Sequence, residues 1–599
     1  MTGPGFDPDA LRAKYRAERD KRLRSDGIAQ YVELAGELAH FERDPYVAPG
    51  FSRAPLTDDV DVAVIGGGFS GLLAGARMRE LGVESIRMIE KGGDFGGTWY
   101  WNRYPGLACD VESYVYLPML EELGTMPIEK YSRGPEILAH CRAIARRYDL
   151  YREACLQTAV TEIRWDASAA RWIVATDRGD AMRARFVCLG NGFLQKPKLP
   201  GLPGLATFRG HAFHTSRWDY ACTGGDANGN LANLRDKRVG IIGTGATAVQ
   251  CIPHLGASAG HLYVFQRTPS SIGVRANRPT DPEWVCGLEP GWQQKRIDNF
   301  QILTAGGYAP EDLVNDGWTD IARNLLTRML AQETPDLSPE ALARGVELAD
   351  FETMEAIRAR ADALVEDPAT AEALKPWYRQ FCKRPCFHDE YLQTFNRPNV
   401  TLVDTHGKGV ERVTEKGVVA AGEEYALDCL IFATGFEVGT DYSHRSGYGI
   451  VGRDGVTLTE KWAEGVRTFH GLHIRGFPNC FMMSVAQSGF TVNFPYGIDL
   501  QAKQVAYLVE RALREGIDEF EASQQAEDEW VAKVVEVGNR TTEFAESCTP
   551  GYYNAEGQAD ARLRQGAFFF GAPTEFAERL AAWRADGEMK GLEVRRSTR

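Results

Sequence analysis

The chain has 599 residues, which at about 100–200 residues per domain predicts three or four domains. Its 68 basic and 82 acidic residues give a net charge of −14, which argues against nucleic acid or an anionic membrane as the main partner. The sequence has no apolar run of about 18 residues, and its N-terminus is charged where a signal peptide is apolar. We therefore expect a cytoplasmic protein without a membrane span, and these numbers leave the oligomeric state open.

The twelve cysteines are spread along the chain. The close pair Cys382 and Cys386 has a spacing typical of neither a zinc site nor a redox disulfide. We therefore expect reduced thiols, as is usual in cytosolic enzymes. His470 and His473 have no third ligand nearby in the sequence, so no metal site is predicted.

Taken in chain order, the sequence repeats a pattern of strand, glycine turn and helix. Residues 1–55 form a charged leader, in which residues 11–24 are predicted to form a helix that packs on the main body or on a neighbouring subunit. From Asp59, DVDVAVIGGGFSGLLAGARMRELG predicts a buried strand, a glycine turn and a helix, and IRMIEK predicts the next parallel strand. From Arg238, RVGIIGTGATAVQCIPHLG and LYVFQRTPS repeat this pattern. Residues 278–377 lack strand alternation, which favours a helical insertion.

The first glycine turn has the spacing of a dinucleotide-binding site. Gly66, Gly68 and Gly71 follow an apolar strand and open a helix. The first glycine permits a tight turn, the second lets a pyrophosphate approach the backbone, and the third lets helix and strand pack closely. Glu90 ends the next strand, where a carboxylate accepts hydrogen bonds from ribose hydroxyls.

The second glycine turn differs at the position that meets the ribose. Gly243, Gly245 and Ala248 repeat the motif, and Arg267 stands where Glu90 stands in the first unit. A carboxylate there repels a 2′-phosphate whereas an arginine pairs with it, so the second site favours NADP over NAD. Because the second strand ends in an acid in the first unit and in an arginine in the second, we predict FAD in the first unit and NADPH in the second. Hydride would then pass from nicotinamide to flavin.

We therefore predict an α/β fold with two Rossmann-like dinucleotide-binding domains, for FAD and NADP, the second inserted into the first, plus a helical insertion. The expected boundaries are 1–55 for the N-terminal helical extension, 56–195 for the first part of the FAD-binding domain, 196–277 for the first part of the NADP-binding domain, 278–377 for the helical insertion, 378–398 for the second part of the NADP-binding domain, and 399–599 for the second part of the FAD-binding domain with a C-terminal helical tail.

A segment between the two glycine turns resembles the fingerprint of the Baeyer–Villiger monooxygenases, a family of class B flavoprotein monooxygenases. The matching residues are Phe208, Gly210, His214, Thr215, Trp218 and Asp219. The related N- and S-oxygenating flavin monooxygenases carry a similar motif without the tryptophan. The resemblance continues in GGTW, YWNRYPG, QRTP, KRP and IFATGF and covers roughly residues 58–500. The charged leader and CTPGYYNAEG look like the long-leader subgroup, which includes enzymes for large-ring and polycyclic ketones.

The resemblance implies that NADPH reduces FAD and that O2 then forms a C4a-peroxyflavin, which attacks a ketone to give an ester or lactone. The ketone is expected to be cyclic or bulky, and nucleic acid is not an expected partner. Arg384 matches the family's active-site arginine and Asp110 the acid that pairs with it. His214 and Trp218 are expected to link domain movement to nicotinamide placement. Further cofactor-binding residues by this resemblance are Gly97, Thr98, Trp99, Thr268 and Lys383. Of these, Lys383 would share the 2′-phosphate with Arg267, and Thr268 would add a hydroxyl.

Four features depart from the family's pattern or extend it. Ala248 replaces a glycine and is tolerated, and the glycines around Asn191 keep the backbone free after the strand. The family's late-loop tryptophan is missing from CTPGYY, so its contact is lost or made by a tyrosine. In the expected substrate loop 485–493, Ser488 and Phe490 are candidate pocket residues, with core packing as the alternative.

Three other functions compete with this interpretation. An N- or S-oxygenating flavin monooxygenase is disfavoured by Trp218, Asp219 and Arg384. A flavin-dependent NADPH reductase is less favoured because the first motif lacks a neighbouring redox cysteine pair. A non-catalytic nucleotide-binding module is disfavoured because the catalytic arginine and acid are both present.

Overall fold

Two sheets organise the chain in the computed structural model, which describes residues 5–321, 323, 338–558, 561–569 and 573–596. The first sheet contains the first glycine turn, and its central strands are parallel and apolar. Its strands, in spatial order, are Gly449–Val451, Val160–Asp166, Arg171–Thr176, Ala181–Leu189, Asp59–Ile65 and Ile86–Ile89, with Cys480–Met482 beside Ala181–Leu189.

The second sheet contains the second glycine turn and is parallel throughout its described strands. In spatial order these are Val400–Asp404, His261–Gln266, Arg238–Ile242, Cys429–Phe432 and His211–His214. Parallel strands buried on both faces read as continuous apolar runs, which is why DVAVI, VGII and CLIF were recognisable. The predicted α/β fold with two Rossmann-like units is confirmed.

The second sheet extends past the boundary expected at residue 399. Val400–Asp404 and Cys429–Phe432 pair with its strands and not with those of the first sheet. The chain therefore returns to the strands of the first sheet after Phe432, and not at 399. An apolar strand has the same pattern in either sheet, so the pattern cannot assign it to one of them.

Helices fill the remaining layers, and none among the described residues combines the length and apolar character needed to cross a membrane. The longer ones are Pro8–Asp20, Phe69–Glu80, Gly134–Arg147, Ala246–Ser258, Trp292–Thr304, Pro339–Leu364, Phe494–Glu515, Gln524–Ser547 and Pro573–Asp586. The short α-helices are Thr98–Trp101, Ser113–Tyr116, Leu120–Leu123, Tyr220–Thr223, Pro282–Cys286, Pro368–Ala373, Tyr391–Thr394, Tyr442–Ser446, Leu458–Lys461 and Ala561–Gln565.

The smaller elements are 3-10 turns and short strand pairs. The 3-10 turns are Gly27–Gln30, Gly36–Glu42, Leu205–Thr207, Thr215–Arg217, Ala232–Leu234, Gln380–Cys382, Arg453–Gly455 and Tyr552–Gly557. The strand groups are Tyr31–Val32 with Leu199–Pro200, Ile272–Gly273 with Cys386–Phe387, Arg412–Thr414 with Gly417–Ala420 and Glu423–Ala426, and Glu519–Ala522 with Leu592–Arg595.

The segment expected to be a helical insertion is helical wherever the structure describes it. Between Gly273 and Cys386 the described residues form helices and turns and no strand. Residues 322 and 324–337 of this prediction lie outside the described residues. The leader helix ends at Asp20, before the expected residue 24, and it packs Tyr15 edge-on against Phe351 of the insertion.

The chain crosses between the two sheets twice, and the crossings run side by side. The Lys198 amide donates to the Gly435 carbonyl at 3.0 Å, and the Glu437 amide donates to the Lys196 carbonyl at 3.1 Å. Between them, Pro197 and Phe436 form an antiparallel bridge. We call residues 196–198 and 435–437 the linker ribbon.

The expectation that all cysteines are reduced thiols is wrong for one pair. Cys382 and Cys548, 166 residues apart in sequence, form a disulfide. It joins the Gln380–Cys382 turn to the end of the Gln524–Ser547 helix. Spacing rules compare near neighbours in sequence, so they cannot find a pair that only the fold brings together.

Candidate active site

The first glycine turn has a backbone that only glycine can supply at two of its positions. Gly66 has a φ of 103°, and a Cβ there would lie 2.8 Å from the Gly190 carbonyl oxygen. A Cβ on Gly71 would lie 1.9 Å from the Gly66 carbonyl oxygen. The chain therefore turns sharply into the Phe69–Glu80 helix, whose N-terminal amides are available to phosphate oxygens.

Glu90 closes this turn from the neighbouring strand. Its carboxylate accepts hydrogen bonds from the amides of Gly67 at 2.6 Å and Gly92 at 2.7 Å. Burial raises the pKa of Glu90, while the two amide donors oppose that rise. Each carboxylate oxygen has a second lone pair, so it can still accept from a ribose hydroxyl.

The other residues expected at the first cofactor line one small cavity with this turn. The cavity measures about 110 Å³ and has Gly66, Gly68 and Glu90 on one side. Facing them on its wall are Gly97, Thr98 and Trp99. A Cβ on Gly97 would lie 2.6 Å from the Gly68 Cα, so the two loops meet backbone to backbone.

The second glycine turn repeats the first with one looser position. Gly243 has a φ of 112°, and a Cβ there would lie 2.5 Å from the Ala433 carbonyl oxygen. A Cβ on Gly245 would meet nothing within 4 Å, which leaves room for a ligand at the start of the Ala246–Ser258 helix. Ala248 is fully buried in that helix, so the substitution is accommodated by packing.

The residues expected at the 2′-phosphate lie on the wall of a larger cavity. Arg267, Thr268 and Lys383 all line it. The Thr268 hydroxyl is buried without a hydrogen-bond partner, and Lys383 forms no ion pair within the described residues. Burial and the positive charge of Arg267 lower the pKa of Lys383 to about 8. Two cations and a spare hydroxyl donor fit a phosphate group.

Arg384 and Asp110 form a two-armed ion pair. Arg384 Nη1 donates to Asp110 Oδ2 and Nη2 to Oδ1, both at 2.6 Å. The Asp110 side chain is 4% exposed and that of Arg384 36% exposed, so the pair lies at the cavity wall with the guanidinium toward the opening. Trp318 Nε1 donates to the Asp110 carbonyl at 2.9 Å and fixes the backbone behind the acid.

The ion pair keeps both groups charged. Burial raises the pKa of Asp110, but the charge and hydrogen bonds of Arg384 outweigh it, and the pKa lies below its ordinary value. Burial lowers the pKa of Arg384, but Asp110 outweighs that as well, and the net pKa lies well above its ordinary value. The site therefore offers a fixed positive charge at neutral pH.

The cavity beside this pair has a volume of about 2530 Å³. A pocket for one drug-sized ligand measures roughly 300–1,000 Å³, so this one has room for a dinucleotide and a further molecule. Tyr552 and Tyr553 line it, which places tyrosines in the late loop where the family has tryptophan. Phe490 also lines it and packs its ring 4.6 Å from that of Phe568.

Ser488 is not among the described residues that line this cavity. It is 4% exposed, and its hydroxyl donates to the Ser484 carbonyl at 2.9 Å. Its carbonyl accepts from the Phe569 amide at 2.8 Å. Core packing, the alternative to a pocket role, is what the structure supports for this residue.

The fingerprint residues lie at the edge of the second sheet, away from the ion pair. A Cβ on Gly210 would lie 2.7 Å from the Asp428 carbonyl oxygen, and Thr215 is buried. Trp218 is buried and donates to the Thr223 hydroxyl at 3.1 Å, and Asp219 caps the Tyr220–Thr223 helix. Phe208 packs partly buried against the core of the second sheet.

His214 connects the fingerprint to the linker ribbon. Its ring packs edge-on against Phe436 at 5.6 Å, and its Nδ1 lies 2.8 Å from the Ser216 hydroxyl. Burial lowers its pKa to about 3, so it is neutral at physiological pH. A neutral buried ring at the junction of two domains suits a positioning role.

His470 and His473 are buried, and His470 packs against an aromatic side chain. His470 stacks on Phe469 at 3.8 Å, and burial lowers the pKa of both His470 and His473 to about 3. Sequence reasoning missed four residues on the wall of the large cavity, because no sequence pattern assigns a role to any of them. They are Tyr31, Lys198, Trp318 and Glu556.

Comparison with known proteins finds one matching domain model and relatives that match this chain over nearly its whole length. A model described as an NAD(P)-binding Rossmann-like domain matches residues 64–123, which include the first glycine turn. Neopentalenolactone D synthase of Streptomyces avermitilis is 57% identical over 98% of this chain and 99% of its own length. A Baeyer–Villiger monooxygenase of Streptomyces coelicolor is 50% identical over 96% of this chain and 95% of its own.

Solved structures share the architecture over most of the chain. The polycyclic ketone monooxygenase from the thermophilic fungus Thermothelomyces thermophila is similar with a TM-score of 0.90 and 38% identity, covering 98% of this chain and 99% of that one. The complex of OTEMO with FAD and NADP is similar with a TM-score of 0.74 and 29% identity, covering 91% and 100%.

Proposed function

The chain belongs to the Baeyer–Villiger monooxygenase family, and from this premise we propose that it converts a bulky, polycyclic ketone into a lactone. The enzyme depends on FAD and NADPH, and its reaction class is the insertion of one oxygen atom of O2 beside a ketone carbonyl. The observation that carries the substrate proposal is the Arg384–Asp110 pair on the wall of a cavity of about 2530 Å³.

The protein's part in the reaction is to place a fixed positive charge beside the substrate. When bound, NADPH and FAD supply the electrons and the means of activating O2. Arg384 keeps that charge at the cavity wall, where negative charge develops on oxygen during the reaction. Because Asp110 accepts a hydrogen bond from each Nη atom of Arg384, the guanidinium is oriented before substrate enters.

The size of the substrate is supported by the cavity and by relatives. Apolar side chains such as Trp318, Phe490 and the late-loop tyrosines line the cavity together with the charged pair. One structural relative is a polycyclic ketone monooxygenase, and one sequence relative is a neopentalenolactone D synthase. The cavity combines apolar side chains, which suit an apolar ligand, with many charged groups, among them the cations expected to bind the coenzyme.

We expect the purified enzyme, supplied with NADPH and heavy-isotope O2, to convert steroidal and other polycyclic ketones faster than cyclohexanone. The larger ketones bury more apolar area, and each buried CH2 group contributes about 0.8 kcal/mol. Product mass spectrometry would find one heavy oxygen in each lactone. A thioether in the same panel controls for S-oxygenation.

The outcomes separate the alternatives. Faster turnover of cyclohexanone than of every polycyclic ketone would refute the proposed substrate size. Sulfoxide as the dominant product, with no ester or lactone, would contradict the proposed ketone reaction.

We further propose that Arg267 pairs with the 2′-phosphate of NADPH. Replacing it with alanine is expected to weaken NADPH binding by about 1.5–3 kcal/mol, because one charged hydrogen-bond donor is lost. That corresponds to a Kd about 10- to 150-fold higher. Binding of NADH, which lacks the phosphate, should change little. An equal loss for both coenzymes in fluorescence titrations would refute the assignment.

We also propose a cytoplasmic location, which the demand for NADPH supports, since this reductant is made inside the cell. The cytosol keeps most thiols reduced, so Cys382–Cys548 would be an exception there. Mass mapping of alkylated peptides from freshly lysed cells would reveal the state of this pair.

A further inference from the structure

A buried carboxylate lies among the cations assigned to the 2′-phosphate. Glu556, in the Tyr552–Gly557 turn, is 4% exposed. Its Oε2 accepts from Arg267 Nη2 at 3.2 Å, and its Oε1 lies 4.0 Å from Lys198 Nζ. Its negative charge also acts on Lys383, where it opposes the fall in that group's pKa.

The leader completes the enclosure of this carboxylate. The Tyr31 hydroxyl donates to Glu556 Oε1 at 2.9 Å, and Lys198 Nζ lies 3.7 Å from the centre of the Tyr31 ring. Arg267 uses its other arm, Nη1, to donate to the Gln30 side-chain oxygen at 2.8 Å. Glu556 therefore has the surroundings that suit a phosphate: several cations, a hydroxyl donor and little water.

We propose that Glu556 is an internal stand-in for the 2′-phosphate of NADPH, which must displace it, and that Lys198 is a further cation of this phosphate site. The inference rests on the proposed role of Arg267. A 2′-phosphate carries more negative charge than one carboxylate and has three oxygens, so it can also engage the unpartnered Thr268 hydroxyl and Lys383.

The backbone of the turn that carries Glu556 is strained, and this strain favours displacement of the carboxylate. Ala555 and Glu556 have φ values of 50° and 57°, a left-handed conformation that side chains other than glycine rarely adopt. The contacts of the carboxylate must offset the cost of that backbone. Once a phosphate takes over the cations, the strain favours release, while the Cys382–Cys548 disulfide keeps the segment nearby.

The coenzyme selectivity of the enzyme follows from this competition. A ligand without a 2′-phosphate gains nothing from displacing Glu556, because it has no charge to offer the vacated cations. A ligand with the phosphate can displace Glu556, because its phosphate then binds Arg267, Lys198 and Lys383 in place of the carboxylate. Glu556 therefore lowers the affinity for phosphorylated ligands and leaves the affinity for others unchanged.

The test is calorimetric titration of the full-length, FAD-loaded enzyme with adenosine 2′,5′-bisphosphate and with 5′-AMP. Glu556→Gln is expected to tighten binding of the bisphosphate about tenfold and to leave 5′-AMP binding within twofold. Glu33→Gln is the matched control, because Glu33 lines the same cavity but pairs with Lys196. It should change neither affinity.

The outcomes distinguish the proposed role of Glu556 from the proposed role of Arg267, on which it rests. Unchanged or weaker bisphosphate binding by Glu556→Gln would overturn the role of Glu556. Lys198→Met is expected to weaken bisphosphate binding alone, and an unchanged affinity would remove Lys198 from the site. Arg267→Ala should weaken bisphosphate binding in either case, and its failure to do so would refute the phosphate site itself.

A second measurement uses the unaltered protein, so it does not depend on how the variants fold. Amide hydrogen exchange at residues 554–558 should speed up when the bisphosphate binds and stay the same with 5′-AMP. The Glu556 amide now donates to the Gly551 carbonyl at 2.8 Å, a bond that opens if the turn is displaced. Slower exchange with the bisphosphate would contradict the displacement.

Discussion

Replacing Arg384 with alanine is expected to lower ketone oxygenation by at least about a thousandfold. Loss of a single preorganised donor to developing negative charge costs about 10²–10³ in rate, and this side chain also supplies a full positive charge. Reduction of FAD by NADPH should continue within about tenfold, because Arg384 is not among the residues assigned to either nucleotide. Stopped-flow absorbance and product mass spectrometry measure the two steps separately.

The control for Arg384 is another arginine on the same wall. Arg379 lines the cavity and pairs with Asp350 at 2.7 Å, so Arg379→Ala removes an equivalent ion pair without touching Asp110. It should retain most of the oxygenation rate. Lactone formation at the wild-type rate by Arg384→Ala would remove this residue from the mechanism.

Replacing Asp110 with asparagine is expected to reduce oxygenation about a hundredfold and to destabilise the fold. Asparagine keeps the size of the side chain but leaves the Arg384 charge without its partner. Breaking a buried ion pair costs about 3–5 kcal/mol, and the partial exposure of Arg384 brings the expected loss in unfolding free energy to about 2 kcal/mol. Urea unfolding followed by fluorescence measures it.

The pH dependence of that loss has a defined sign. The pKa of Asp110 is lowered in the folded protein, so its contribution to stability is present above the ordinary pKa of aspartate, about 3.9. It disappears as the pH falls through the folded-state pKa. The stability gap between wild type and Asp110→Asn should therefore be constant near neutral pH and narrow below about pH 4.

A double variant tests whether Asp110 acts through Arg384. If the acid only orients the guanidinium, adding Asp110→Asn to Arg384→Ala should cost little further oxygenation activity. Independent, multiplying losses would instead indicate a separate role for the acid. FAD content and NADP⁺ affinity should match wild type in both single variants.

The local parts of the fold were predictable because their determinants are close in sequence. The glycine turns around Gly66 and Gly243 need only a strand, a turn and a helix in succession. The assignment of Arg267 needed only the comparison with Glu90 at the equivalent position. Such signals depend on a few neighbouring residues, so no knowledge of the tertiary structure is required.

The long-range parts were not predictable from pattern alone. Arg384 and Asp110 are 274 residues apart, and only the family resemblance paired them before the structure brought them together. Nothing in CTPGYYNAEG indicates that Glu556 reaches Arg267, or that Cys548 reaches Cys382. The sequence also left undetermined which of the two sheets contains the strand NVTLVD, because an apolar strand has the same pattern in either sheet.

The linker ribbon also has a mechanical consequence. Because the two crossings are hydrogen-bonded side by side, sliding one past the other would break the Lys198–Gly435 and Glu437–Lys196 bonds, whereas a hinge rotation about the ribbon would keep them. His214 packs against this joint through Phe436, and Lys198 extends from it to Glu556. A rotation of the second sheet about the ribbon would therefore move His214 and the proposed coenzyme-site cation Lys198 together.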